Sequence, residues 1–253
     1  MDNPFAQLKE RWSHVPVLPD TSIPSDEFKC EACRGHGTVM GMPSGTIIPC
    51  PVCGPKRYEA LRWRNSGIPE NRRHCTFANF NKTTGTERAL ALAQSMLDEK
   101  NIVVIYGPPG CGKTHLAYAA VIDAITRGTP ARIIRCLEWL NDLKGRLRAH
   151  SAEEGAVTVE WLIQGHQSIA LLAIDELDVR TEWEIQTIDD LVTGREARGR
   201  PTLITTNWDR EKMVAILPRV ESRALMVLNK GADYRKRGIK KVKGGTEDEE
   251  KQF

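Results

Sequence analysis

The sequence lacks a long apolar run, a secretory signal and a strong excess of charge of either sign. No segment approaches the roughly 20 apolar residues that a helix needs to cross a bilayer, so we expect no membrane partner. The N-terminal residues MDNPFAQLKE have neither the basic region nor the apolar region of a signal peptide, and the predicted location is cytoplasmic. Because the formal net charge is only +3, any contact with nucleic acid must depend on a local basic surface.

The seven cysteines are not expected to form disulfides, because the cytoplasm keeps thiols reduced. Four of them form two C-x-x-C pairs, CEAC and CPVC, at Cys30, Cys33, Cys50 and Cys53. Two such pairs at this distance predict tetrahedral thiolate ligation of Zn²⁺, and a redox pair would not need the second C-x-x-C. The zinc module could be a fold staple without a partner, a head that recognises a protein, or a direct DNA contact, and the residues leave this open.

From residue 77 onward, apolar runs of strand length alternate with segments of helical periodicity. This alternation predicts an α/β fold with an open parallel sheet. The five strand candidates are NIVVIY (101–106), ARIIRC (131–136), SIALLAID (168–175), PTLITTN (201–207) and ALMVLN (224–229). We divide the chain into an N-terminal arm (1–27), a zinc-binding module (28–55), a linker helix and loop (56–76), a core (77–240) and a disordered tail (241–253).

The segment IYGPPGCGKTHLA fits the pattern G-x-x-x-x-G-K-[ST] between a predicted strand and a predicted helix. Glycines in such a loop let backbone N–H groups turn toward phosphate oxygens, and the helix N-terminus adds partial positive charge. We expect Lys113 to bind the β and γ phosphates and Thr114 to bind Mg²⁺ through its hydroxyl. The predicted nucleotide-binding residues are Gly107, Pro108, Pro109, Gly110, Cys111, Gly112, Lys113 and Thr114.

Polar residues end the third and fourth strand candidates. Asp175 closes the run IALLAID and is predicted to hold Mg²⁺, and Glu176 is predicted to polarise the attacking water. Asn207 follows PTLITT and could orient that water or cap the next helix. We expect the triphosphate to lie between the first and third strands.

Taken together, GPPGCGKTHLA, AIDEL, PTLITTNWD and SRALMV resemble AAA+ ATPases in order and spacing. The nearest resemblance is to helicase loaders of the DnaC/DnaI type, phage versions included, and to their IstB-type transposase-helper relatives. It implies a P-loop NTPase sheet flanked by helices, with a small N-terminal zinc module and a reduced lid. It also implies that Asn207 is the sensor 1 residue, and that the zinc module docks on a helicase.

The same resemblance assigns three arginines. Arg223 matches the arginine finger that reaches a neighbouring subunit, with Arg219 as the alternative, and Arg235 matches the sensor 2 arginine. A finger supplied in trans implies head-to-tail self-association and weak ATP hydrolysis by the isolated subunit. Each arginine could instead make only a surface salt bridge.

A contact with single-stranded DNA is expected on the segment EWLNDLKGRLRAH. Cations there could follow the phosphates and an aromatic ring could stack on a base. The candidates are Trp139, Lys144, Arg146 and Arg148. A solvated helix with Trp139 in its buried stripe explains the pattern equally well, and the basic run at 56–64 is more typical of a solvated helix.

The sequence thus predicts a zinc-bearing ATPase that uses ATP and Mg²⁺ to load a replicative DNA helicase onto single-stranded DNA. Two alternatives stay open. One is an IstB-type ATPase that remodels target DNA for a transposase. The other is a nucleotide-gated adaptor or inhibitor that binds a helicase without useful hydrolysis.

Overall fold

The structure is a computed structural model that describes residues 30–34, 36–41, 46–149, 158–231 and 233. The predicted N-terminal arm, tail and lid, together with Arg235, lie outside these residues. Within the described part, no helix is long and apolar enough to cross a membrane.

The described chain folds into seven strands and eight α-helices. The strands are β1 (Thr38–Gly41), β2 (Thr46–Pro49), β3 (Ile102–Tyr106), β4 (Ala131–Arg135), β5 (Leu171–Asp175), β6 (Thr202–Thr206) and β7 (Leu225–Leu228). The helices are α1 (Gly54–Asn65), α2 (Glu87–Glu99), α3 (Lys113–Thr126), α4 (Cys136–Ala149), α5 (Val159–Ser168), α6 (Glu182–Glu196), α7 (Arg210–Ile216) and α8 (Pro218–Arg223).

The five strands β3 to β7 form one parallel sheet in the order β4-β5-β6-β3-β7. This confirms the predicted parallel α/β sheet. The predicted placement of the triphosphate needs one correction, because β6 lies between β3 and β5. The two strands are therefore about 10 Å apart, and the end of β6 contributes side chains to the site between them.

Alternating side chains of the central strands pack into two separate hydrophobic layers. In β3, Val103 and Ile105 face the layer formed by α2 and α3, whereas Ile102 and Val104 face the layer that includes α4 to α8. Successive side chains of a strand point to opposite faces, so both faces of a sheet covered by helices must be apolar. This explains why the central strands are continuous hydrophobic runs in the sequence.

The segment between β4 and β5 holds a helix that the sequence pattern did not reveal. Helix α5 begins where Thr158 Oγ1 accepts a hydrogen bond from Trp161 N at 3.2 Å, which is a typical N-cap. The strand expected from residue 168 therefore starts only at Leu171. Likewise, the single helix expected after Asn207 is two short helices, α7 and α8, because Pro218 starts a new helix.

A fully buried arginine fastens α6 to the amino ends of β5 and β6. Arg195 donates to the carbonyl oxygens of His166, Ile169 and Pro201 and to Thr202 Oγ1, at 2.5, 2.9, 2.7 and 2.8 Å. These bonds leave the guanidinium well solvated by protein oxygens, which is what a buried charge requires. The contacts fix the amino ends of these strands, at the end of the sheet opposite to the candidate site.

Candidate functional site

The loop between β3 and α3 has the backbone conformation of a phosphate-binding loop. Gly107, Gly110 and Gly112 have φ angles of 141°, 79° and 93°, a region that favours glycine. A Cβ atom at Gly107 would lie 2.4 Å from the carbonyl oxygen of Asn229. All three glycines therefore suit the turn, and Gly107 also permits the close approach of the chain that follows β7.

Lys113 lies buried at the centre of this loop. Its Nζ donates to the carbonyl oxygens of Gly107 and Pro108 and to Asn207 Oδ1, each at 2.8 Å. Burial lowers the pKa of Lys113, and the nearby Cys111, Asp175 and Glu176 oppose that shift. Nζ also donates to Cys111 Sγ at 3.7 Å, and within the described residues this buried ammonium forms no salt bridge. Such a group is suited to bind an anion.

Asp175 ends β5 and is also buried. Thr205 Oγ1 donates to Asp175 Oδ1 at 2.5 Å. Burial raises the pKa of Asp175, and hydrogen bonds from Thr205 and Thr114 oppose this shift. The carboxylate and the Thr114 hydroxyl are thus brought together at the end of the P-loop. Hydroxyl and carboxylate oxygens are the ligands that Mg²⁺ prefers, so this pair fits the ion expected with a nucleotide.

Glu176 follows in a left-handed backbone conformation, with φ of 55°. Its N–H donates to Thr205 Oγ1 at 3.0 Å, and its Oε2 accepts from Arg135 Nη2 at 3.1 Å. Arg135 at the end of β4 also bonds to Glu138 Oε1 at 2.7 Å. The carboxylate of Glu176 is therefore exposed to solvent but paired with a cation. Neither Thr205 nor Arg135 was singled out from the sequence.

A strap formed by residues 66–83 covers the loop. A cavity of about 510 Å³ lies between the strap on one side and the P-loop, Glu176 and Asn207 on the other. The strap residues that line it are Arg72, His74, Cys75, Asn79, Phe80, Asn81 and Thr83. His115 Nε2 donates to the Thr76 carbonyl oxygen at 2.8 Å and its ring lies 5.4 Å from that of Phe80. The sequence-based division assigned residues 66–76 to the linker and 77–83 to the core, and it did not predict that this segment lines the cavity.

The arginines of α8 lie away from this cavity. Arg223 precedes Leu225, which pairs with Val103 at the amino end of β3, whereas the P-loop follows the carboxyl end. The sheet therefore separates Arg223 from the P-loop of its own chain. Arg223 bonds to Glu196, and Arg219 Nη1 bonds to Asp189 Oδ2 at 2.9 Å.

The DNA-contact candidates on α4 separate into two groups. Trp139 is only 7% exposed and packs against the His166 ring at 5.4 Å, so its ring is not available to stack on a base in this conformation. Lys144 Nζ bonds to the buried Glu184 at 2.5 Å. Arg146 bonds to Asp142 at 2.9 Å, and Arg146 and Arg148 are both exposed. The basic surface of α4 is therefore smaller than the sequence suggested.

The four cysteines of the two pairs form one cluster. Their sulfur atoms all lie within 4.8 Å of one another, and the Cys30–Cys50 and Cys33–Cys53 separations are 3.8 and 3.5 Å. Tetrahedral Zn²⁺ with bonds of about 2.3 Å requires sulfur separations near 3.8 Å. Val39 of the β1–β2 hairpin packs against the cluster, and Gly37 N donates to Cys33 Sγ at 3.2 Å. The four thiolates thus fit a zinc ion.

Comparison with known proteins identifies the family of the chain. The family model described as "IstB-like ATP binding protein" matches residues 56–241. The replicative helicase loader DnaC of Escherichia coli (strain K12) is 32% identical over 162 residues, which are 61% of this chain and 64% of the loader. The chain therefore matches less than two thirds of that relative's length.

Two further comparisons come from an insertion sequence and from a solved structure. A putative ATP-binding protein in an insertion sequence of Mycobacterium tuberculosis (strain ATCC 25618 / H37Rv) is 25% identical over 181 residues, 64% of this chain and 68% of that protein. The crystal structure of DnaI covers 70% of this chain and 98% of its own, with a TM-score of 0.55 and 16% identity. The likeness to DnaI shows the fold, a sheet flanked by helices.

Proposed function

The chain belongs to the family of IstB-like ATP-binding proteins, and on that premise we propose that it is an ATP-dependent loader of a replicative DNA helicase. The loader binds the helicase and helps to place it on single-stranded DNA. The observation that carries the proposal is the convergence of Lys113, Asp175 and Asn207 at one end of the sheet, in a chain 32% identical to a replicative helicase loader.

ATP with Mg²⁺ supplies a triphosphate whose terminal bond can be cleaved by water. Lys113 would exchange its bonds to the Gly107 and Pro108 carbonyl oxygens and to Asn207 for bonds to phosphate oxygens, and Thr114 and Asp175 would hold the ion. Glu176 accepts a proton from the attacking water, and Asn207 orients that water. The strap at 66–83 encloses the rest of the nucleotide, because it lines the cavity together with the P-loop.

A neighbouring subunit completes the site in this proposal. Arg223 lies at the amino-terminal end of the sheet, opposite to the P-loop of its own chain. This position supports a role in trans as the arginine finger. Contacts of this kind are heterologous, so the subunits assemble head to tail. An isolated subunit then hydrolyses ATP weakly, since it lacks the cation at the γ-phosphate. Arg235 remains the proposed sensor 2 residue.

The zinc module is proposed to dock on the helicase. Its cysteines hold Zn²⁺, whose binding free energy replaces the hydrophobic core that so short a segment cannot build. The exposed arginines Arg146 and Arg148 of α4 are proposed to contact the phosphates of single-stranded DNA.

The proposal is tested by helicase loading. A hexameric replicative helicase is offered circular single-stranded DNA covered by single-strand binding protein, with the full chain and Mg·ATP. Helicase is expected on the DNA with the wild-type chain and not with Lys113→Ala. If both chains leave the helicase off the DNA, although it binds naked DNA, the loader function is wrong.

The insertion-sequence relative favours one other function, that of an ATPase that assists a transposase at target DNA. The full chain with ATP can be tested for stable binding to double-stranded DNA and for capture of a purified transposase of the same genome. Binding to the transposase, without binding to the helicase, would establish this alternative.

A further inference from the structure

Asn229 is a buried polar residue that the proposed mechanism does not use. It follows β7, is fully buried, and is not among the residues that line the nucleotide cavity in the described structure. Its side chain Nδ2 donates to the carbonyl oxygen of Cys111 at 3.0 Å, across 118 residues of sequence. The side chain therefore bonds directly to the backbone of the P-loop, on the side that faces away from the nucleotide cavity.

The position of Asn229 is fixed by its own backbone and by its neighbours. Its N–H donates to the Tyr106 carbonyl oxygen at 2.8 Å, and the next N–H, of Lys230, donates to Gly85 at 3.2 Å. Gly231 packs so closely that a Cβ atom there would lie 2.7 Å from Thr86 Cγ2. The backbone on both sides of the Asn229 side chain is thus anchored beside the loop by hydrogen bonds and close packing.

The bond to Cys111 has a consequence for the next N–H group. In a trans peptide the C=O and the N–H point in opposite directions. Because the Cys111 carbonyl points toward Asn229, outside the cavity, the N–H of Gly112 points toward the cavity that Cys111 and Gly112 line. Within the described part of the chain, that N–H donates to no protein acceptor.

The side-chain amide of Asn229 lowers the stability of the fold through its oxygen. Asn229 Oδ1 is buried and has no hydrogen-bond partner among the described residues. A buried acceptor without a partner destabilises the fold, and an apolar side chain of similar size would avoid that penalty. The bond from Nδ2 to Cys111 is the contact that an apolar side chain could not make.

We infer that Asn229 is a positioning residue for nucleotide binding, because it orients the Cys111–Gly112 peptide so that the Gly112 N–H is presented to a phosphate oxygen. The inference rests on the proposed function, since it assumes a phosphate in the cavity. Asn229 does not touch the nucleotide and acts only through the loop.

The test is isothermal titration of the full, zinc-replete chain with Mg·ATP. In Asn229→Leu the donor is lost at nearly constant volume, and the Gly112 peptide is free to rotate. The dissociation constant is expected to rise about tenfold or more, as for a lost hydrogen bond to a charged group. The number of sites per chain is expected to stay unchanged.

A purely structural role would give a different result. A partly unfolded sample loses sites but binds normally at those that remain, so the stoichiometry falls while the dissociation constant stays constant. Leu143→Ala is the control for partial unfolding. Leu143 lies on α4, is fully buried in the hydrophobic core and is distant from the loop in sequence. Asn229→Ser, whose hydroxyl is too short to reach Cys111, serves if the leucine variant is insoluble, and should also weaken binding.

The outcomes separate the inference from the proposed function. If the wild-type chain binds no ATP, the proposed function is wrong and the inference falls with it. If the wild-type chain binds ATP and folded Asn229 variants bind it with the same dissociation constant, only the inference is overturned.

Discussion

Lys113 Nζ and Asn207 Oδ1 lie 2.8 Å apart, although the two residues are 94 positions apart in the sequence. The contact joins the first residue of α3, which follows β3 through the P-loop, to the residue after β6, and β3 and β6 pair directly in the sheet. It also means that phosphate must compete with a neutral amide oxygen for the ammonium group. A neutral competitor is displaced more easily than a carboxylate would be, since a buried ion pair resists separation.

The first prediction follows from this competition. Asn207→Asp places a carboxylate beside Lys113, which neutralises the ammonium and repels the phosphates. We expect its affinity for Mg·ATP to fall about tenfold or more, whereas Asn207→Ala should bind ATP nearly as well as wild type and lose hydrolysis. Titration calorimetry checks both variants, and equal affinity of Asn207→Asp and wild type would contradict the account.

A second prediction concerns the ion pair between Arg135 and Glu176. The pair holds the carboxylate that is proposed to accept the proton from water. Both side chains are more than half exposed, so the pair is weak and its removal should raise the rate of ATP hydrolysis by roughly two- to fivefold. Arg135→Gln tests this in a phosphate-release assay. Glu138→Gln, which removes the other partner of Arg135, is the control and should not raise the rate. A slower Arg135→Gln chain would mean that Arg135 assists the reaction.

Subunit mixing tests the arginine finger. Arg223→Ala and Lys113→Ala are each expected to hydrolyse ATP poorly. A mixture of the two should regain activity, because an intact P-loop from one chain can meet an intact Arg223 from the other. Arg219→Ala replaces the neighbouring arginine as the control and should retain activity alone. A mixture as inactive as its components would show that Arg223 acts in its own chain or not at all.

The cysteine cluster predicts one zinc ion per chain. Cys30→Ser removes one of four thiolates and should lower the bound zinc to near zero. The β1–β2 hairpin should then unfold, since it depends on the metal, while ATP binding by the core persists. Cys136→Ala changes a cysteine outside the cluster and should keep one zinc. Zinc content measured by atomic emission decides this, and full zinc retention by Cys30→Ser would contradict the assignment.

A fifth prediction concerns the pH dependence of stability. Burial lowers the pKa of His166 from 6.5 to about 4, and the neighbouring Arg132 and Arg195 act in the same direction. Between pH 6.5 and 4 the unfolded chain therefore binds more protons at this residue than the folded chain. The free energy of unfolding falls as the pH is lowered through this window, by roughly 3 kcal/mol in total.

His166→Gln removes that titration. Urea unfolding at several pH values should show a smaller loss of stability between pH 6.5 and 4 in this variant than in the wild-type chain. The contribution of the carboxyl groups cancels in this comparison, because they titrate in both proteins. Identical pH profiles would show that His166 is protonated in the folded state or accessible to water.

Much of the core could be read from the sequence, because its signals are local. The P-loop at 107–114 and the apolar strand ahead of it lie in one continuous segment, and a covered parallel strand must be apolar throughout. Helix α5 was missed because residues 159–168 mix polar and apolar side chains without a clear boundary. The order of the strands was also not accessible, since it depends on crossovers between distant segments.

Long-range contacts account for the other omissions in the site. The bond from Asn229 to Cys111 and the pair of Arg135 with Glu176 join residues at or beyond the ends of different strands. An isolated asparagine or arginine after a strand has no pattern that distinguishes such a contact from a cap or a solvated surface. The burial of Trp139 was equally ambiguous, since its spacing on α4 fits a buried stripe and an exposed base-stacking platform alike.

The account depends on a nucleotide bound at Lys113. The most direct measurement is equilibrium binding of ATP, with Mg²⁺, to the purified zinc-replete chain and to Lys113→Ala. We expect one ATP per wild-type chain and an affinity about a hundredfold lower in the variant, since a buried charge-assisted contact is lost. Equal binding by the two chains, or no adenine nucleotide retained by the wild type, would contradict the central claim.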